Sequence, residues 1–70
     1  METNYFQKQF IELLEKAGFE IFEYSGRGMY GEVCPAIKVD SVKDFYTCMG
    51  IENGKYWHDN LGKDFVIYCR

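Results

Sequence analysis

The spacing of apolar residues changes period along this chain from helical to alternating, back to helical and again to alternating, and that switching limits the folds open to it. Phe6, Phe10, Leu13, Leu14 and Ala17 recur at helical spacing, with Glu12 and Lys16 four apart on the polar side, Thr3 or Asn4 as cap and Gly18 as stop. Phe19-Glu20-Ile21-Phe22-Glu23-Tyr24 is rich in aromatic and branched residues between glycines, the mark of a strand. Val33 to Val39 then alternates, with Val33, Ile37 and Val39 on one face and Cys34, Ala36 and Lys38 on the other. Pro35 cannot donate a ladder hydrogen bond, which predicts a sheet edge or an irregular start for this second strand.

Asp40-Ser41 opens a second helix, with Ser41 and Asp44 at capping-box spacing, a stripe of Val42, Phe45, Tyr46 and Met49, and Gly50 at the end. Asn53-Gly54 predicts a turn, Lys55 to His58 a short strand, Asp59 to Lys63 a second turn and Asp64 to Cys69 a final strand. The expected order is α-β-β-α-β-β in one α+β domain over residues 1–70, both helices lying on one face of a largely antiparallel sheet. At 70 residues the entropy of ordering the chain nearly cancels the hydrophobic gain, so the core must be dense or helped by a partner. Six Tyr, six Phe and one Trp supply that density and leave aromatic rings for a surface. If Phe19, Ile21, Ile37, Val39, Phe65 and Ile67 face the helices, alternation sends Phe22, Tyr24, Val66 and Tyr68 to the other side, a candidate contact surface. Tyr56-Trp57-His58 has the residue types to stack a base or ligand, but Trp57 is expected rather to anchor the core.

The segment Gly26-Arg27-Gly28-Met29-Tyr30-Gly31 satisfies G-x-G-x-x-G, and with Val33 the kinase pattern G-x-G-x-x-G-x-V. A dinucleotide fold needs a helix after these glycines, to hold the pyrophosphate at its N-terminus, whereas a strand follows here. In the kinase reading Ala36-Ile37-Lys38 would carry the lysine. Only six residues separate Gly31 from Lys38, too few for the intervening turn and strand, and no H-R-D or D-F-G follows. The segment is therefore expected to connect two strands, with Gly26, Gly28 and Gly31 giving backbone freedom while Arg27, Met29 and Tyr30 present a recognition tip. Tyr24 to Ile37, YSGRGMYGEVCPAI, resembles small proteins of phages and other mobile elements that carry an SGRGMYG-x-x-C stretch. The resemblance implies an accessory protein of such an element and brings no catalytic residue with it.

Chemistry is sparse. Cys34, Cys48, His58 and Cys69 have the residue types for a Cys₃His zinc site, but separations of 14, 10 and 11 lack the paired ligands of structural zinc, and no metal or cofactor is expected. Cys48, His58 and Asp59 have the types for nucleophilic catalysis without a local signature, and a chain this small offers little depth for a water-excluding cleft, so no enzyme is expected. Three cysteines without a C-x-x-C pair suit a reducing compartment, and with no signal-like or membrane-length apolar segment the expected setting is the cytoplasm. A net charge of -3 with no basic cluster disfavours a phosphate-backbone partner. These readings predict a non-enzymatic module that binds a protein partner or a second copy of itself. The alternative is single-stranded nucleic acid or a nucleotide, stacked on an aromatic sheet face.

Overall fold

The structure is a computed structural model that describes residues 4–26 and 30–70. Its elements run α1 (Tyr5–Lys16), β1 (Phe22–Tyr24), β2 (Cys34–Val39), α2 (Val42–Met49), β3 (Trp57–Leu61) and β4 (Asp64–Tyr68). The four strands form one antiparallel sheet in the order β1-β2-β4-β3. This is the α+β architecture that the change of period predicts.

Both helices start where local chemistry says they should. Asn4 Oδ1 accepts from the Gln7 amide at 2.8 Å while Gln7 Oε1 accepts from the Asn4 amide at 3.0 Å, closing a capping box. Ser41 Oγ accepts from the Asp44 amide at 3.3 Å, and α2 ends at Gly50. Phe10 and Leu14 of α1, Ile37 and Val39 of β2, Phe45 and Tyr46 of α2, and Ile67 of β4 form the main core, with Phe19, Ile21, Val42, Met49 and Phe65 packed at its margin. Phe6 was expected on the buried stripe of α1 but is 68% exposed. It lies about a quarter-turn round the helix from the stripe of Gln7, Phe10 and Leu14.

Three strand expectations are corrected by the backbone. The first strand was expected from Phe19, yet β1 begins at Phe22. The Phe19 amide donates back to the Leu14 carbonyl at 2.9 Å, so the chain is still closing α1 where the ladder was expected to start. β3 runs on to Leu61 because Asp59 and Asn60, poor strand formers, pair with Val66 and Phe65; only Gly62 and Lys63 form the turn. Gly62 has a φ of 66° while no other residue type among those described has a positive φ, the sign pattern of a II′ hairpin.

The third correction concerns the edge alternative for Pro35: β2 lies between β1 and β4, and Pro35 is its second residue, at the strand start, where the other alternative placed an irregularity. The register continues from Ala36 opposite Tyr68 to Pro35 opposite Cys69, where the Cys69 amide donates to the Pro35 carbonyl at 3.2 Å. Proline has no N–H to return, which leaves the Cys69 carbonyl short of a donor in a buried place. Gln7, itself 5% exposed, supplies one: its Nε2 donates to that carbonyl at 3.2 Å. A side chain of α1 thus substitutes for a missing sheet hydrogen bond.

Candidate functional site

The face of the sheet away from the helices has a small apolar cluster of its own. Cys34 and Ala36 of β2 and Val66 and Tyr68 of β4 are buried there, with Phe22 and Tyr24 of β1 half-buried against them. Among the described residues no second helix layer covers this cluster; the rings themselves do. Tyr24 packs on Tyr68 with centroids 5.5 Å apart, and Phe22 meets Tyr24 edge-on at 6.1 Å. The Tyr24 hydroxyl donates to Asp59 Oδ2 at 2.9 Å, which links β1 at one edge of the sheet to β3 at the other. Phe22, Tyr24 and Tyr68 therefore lie on the predicted face, but Tyr68, 3% exposed, is core to this cluster rather than a contact residue.

What this face presents to solvent lies toward β3. Trp57 was expected in the core and instead is 56% exposed, stacked under the Arg70 guanidinium at 4.3 Å from its ring centroid. The reason is position: alternation sets Trp57 on the face away from the helices, and β3 is an edge strand exposed at four of its five residues. Trp57, Asp59 and Leu61 share one face by alternation, and Leu61 is 47% exposed. The sequence offered an exposed, stacking Trp57 only as the second reading, because an edge strand and a core strand share the same residue types.

At the glycine segment, Gly26 and Gly31 have φ of 78° and 77°, conformations that L side chains rarely adopt, so both bends of the loop require glycine. Tyr30 is 91% exposed, and its amide donates to Glu32 Oε2 at 2.9 Å. Arg27, Gly28 and Met29 lie outside the described residues. A strand, β2, follows the loop, as the exclusion of a nucleotide-binding loop requires.

The residues considered for chemistry are dispersed. His58 and Asp59 follow one another in β3 and point to opposite faces, so the carboxylate does not orient the imidazole. Cys48 is exposed on α2, while Cys34 and Cys69 are buried on opposite faces of the sheet. Burial, reinforced by the nearby Glu32, raises the Cys34 pKa, with Arg70 opposing. The Cys69 thiol is pushed up to about 11, chiefly by burial and further by Cys34, with Lys55 opposing. Both are therefore protonated, weak nucleophiles near neutral pH. Among the described residues no three His, Cys, Asp or Glu side chains are grouped to hold a metal, and no helix is long and apolar enough to cross a membrane.

A second feature lies on the helix side. An open groove of about 390 Å³ runs between the outer side of α1 and the segment before β3, with Phe6, Leu13 and Tyr56 as its apolar floor and Lys16 and Lys55 at its rim. No protein-family model, curated protein or solved structure matches the chain. The fold and site accordingly define a class, a small α+β domain with an aromatic sheet face that is partly closed by its own side chains.

Proposed function

We propose that this chain is a non-enzymatic protein-binding module of the cytoplasm, an accessory or inhibitory protein of a phage or mobile element, and that it binds through the β3 side of its aromatic sheet face. The observation that carries the reading is the exposed Trp57, stacked with Arg70 and on the same face of β3 as the exposed Leu61. Trp and Arg dominate binding hot spots, and a large exposed ring on a rigid strand loses little entropy when it is covered. The Tyr30 tip, 91% exposed, is a second contact in the same reading. Origin from a mobile element is supported by the Tyr24 to Ile37 resemblance alone.

Stacking of nucleic acid draws less support from the geometry. Recognition sheets of that kind offer rings on central strands, whereas the central strands here carry Ala36, Val66 and a buried Tyr68 beneath Tyr24, on a chain of net charge -3. The test is affinity capture from nuclease-treated lysate with the wild type, a Trp57→Ala/Leu61→Ala variant and an Arg27→Ala/Tyr30→Ala variant, all checked for folding. The reading expects a protein retained by the wild type and lost by the first variant at low and moderate salt alike. Recovery only when nuclease is omitted, weakening steeply with salt, would overturn it in favour of nucleic acid.

A further inference from the structure

We infer that the groove between α1 and the segment before β3 takes an amphipathic helix of another protein, one that sets apolar residues on its floor and acidic residues at its rim. This surface is separate from the β3 face, and the inference adds to the proposed function without resting on it.

α1 has two stripes. Gln7, Phe10 and Leu14 are buried and hold the helix on the sheet. Phe6, Gln9, Leu13 and Lys16 line the groove instead, outside the main core, and their spacing of three, four and three residues is that of a coiled-coil seam. Phe6 is 68% exposed, and the equally exposed Tyr5 meets it edge-on at 5.8 Å. Two large rings side by side on one helix turn make an apolar patch rather than a scattered surface residue.

The opposite wall is fixed in advance. The Tyr46 hydroxyl holds the amide and the carbonyl of Tyr56, at 2.9 and 3.2 Å, and the Tyr56 ring packs edge-on against Phe10 at 4.8 Å. A partner therefore has little left to order there.

Shape and charge select the occupant. The α1 residues that line the groove run from Phe6 to Lys16, about 15 Å at 1.5 Å per residue, long enough for the i, i+3 or i+4, and i+7 anchors of a docked helix. Ligand pockets enclose most of a small molecule, which a groove this open does not do. Lys16 and Lys55 stand at the rim against a single carboxylate, Glu12, and Lys55 Nζ lies 5.8 Å from the Tyr56 ring centroid, over the floor. Among the described residues neither lysine is held in an ion pair. The groove is thus locally positive on a chain of net charge -3, which favours acidic side chains in the occupant. A second copy of the chain brings the same positive rim and sets like charge against like.

The test displays a library of helical hairpins with one outward face randomised and selects on the full chain. Winners are titrated against wild type, Phe6→Ala, Lys16→Glu/Lys55→Glu and Trp57→Ala/Leu61→Ala. The replaced side chains are all exposed, and far-UV circular dichroism checks each fold. The inference expects winners with an apolar stripe flanked by Asp or Glu. They should bind about tenfold more weakly to Phe6→Ala and to the charge-reversed variant, the second loss shrinking as salt rises, and equally well to Trp57→Ala/Leu61→Ala. Winners without acidic residues, winners equally tight on Phe6→Ala, or a selection that yields no binder would each overturn the groove as a helix site. Winners lost on Trp57→Ala/Leu61→Ala but kept on Phe6→Ala overturn it while supporting the β3 reading. Sedimentation of the wild type alone should show a monomer; a dimer that Phe6→Ala dissociates gives the groove to a second copy and overturns the inference as well.

Discussion

Replacing Gln7 by Leu tests whether α1 completes the sheet. The substitution keeps volume and helix propensity nearly constant but removes the donor to the Cys69 carbonyl and the acceptor for the Asn4 amide. A buried carbonyl left without a donor costs about 1–3 kcal/mol, and half a capping box about 1 kcal/mol more. The expected loss is about 2–4 kcal/mol, a large part of the roughly 3.5–10 kcal/mol typical for a chain of this length. Pro35→Ala supplies the missing ladder N–H to the same carbonyl. In that background Gln7→Leu should cost only about 1 kcal/mol, so the double-mutant cycle should show a coupling of about 1–3 kcal/mol. The unfolded-state effect of removing proline cancels in the cycle. Urea unfolding followed by far-UV circular dichroism gives all four stabilities. Costs of Gln7→Leu that agree within about 0.5 kcal/mol in the two backgrounds would refute the account of Gln7 as a substitute donor.

Other consequences are as direct. Tyr46 holds the segment before β3 with one hydroxyl, which donates to the Tyr56 carbonyl at 3.2 Å and accepts from the Tyr56 amide at 2.9 Å; Tyr46→Phe should cost about 2–4 kcal/mol in the same unfolding assay. Tyr24→Phe loses a hydrogen bond to a carboxylate and should cost about 1–3 kcal/mol while the ring stays over Tyr68, which nuclear magnetic resonance of the aromatic protons would show. Maleimide labelling at neutral pH should modify Cys48 in the native protein, and Cys34 and Cys69 only on unfolding. Burial pushes the Cys69 thiol up to about 11 from 9.0, so the folded state holds its proton more tightly; the Cys69 contribution to stability should be constant below about pH 9 and lost between about 9 and 11, so that stability falls less steeply there in Cys69→Ala.

Much of the fold was legible in the residues because local and tertiary requirements agree. Ser41 with Asp44, the Val42, Phe45, Tyr46 and Met49 stripe and the terminal Gly50 all say helix, and the same stripe faces the core. Alternation likewise placed Phe22, Tyr24, Val66 and Tyr68 on the second face. Sequence reasoning failed where a residue answers to a distant one. Gln7 looks like a surface residue until Pro35, far along the chain, leaves a carbonyl for it to satisfy. Asp59 and Asn60 look like a turn until Val66 and Phe65 pair with them.

The site was less legible for the same reason. Tyr24 and Tyr68 could be assigned to a face, but their closure over Cys34, Ala36 and Val66 depends on Tyr24 reaching Asp59 across two intervening strands. Trp57 has the composition of a core anchor, and its place on an edge strand, on the face away from the helices, makes it a surface residue.

The most direct test of the proposed function uses the single tryptophan as its own reporter. With 5-fluorotryptophan incorporated, the fluorine resonance of Trp57 can be followed while the partner retained in affinity capture is titrated in. The account predicts a saturable shift of that resonance and loss of its sensitivity to solvent deuteration as the indole is covered. A partner that binds stoichiometrically and leaves the resonance and its solvent sensitivity unchanged would contradict the claim that the protein binds through the β3 side of its aromatic face.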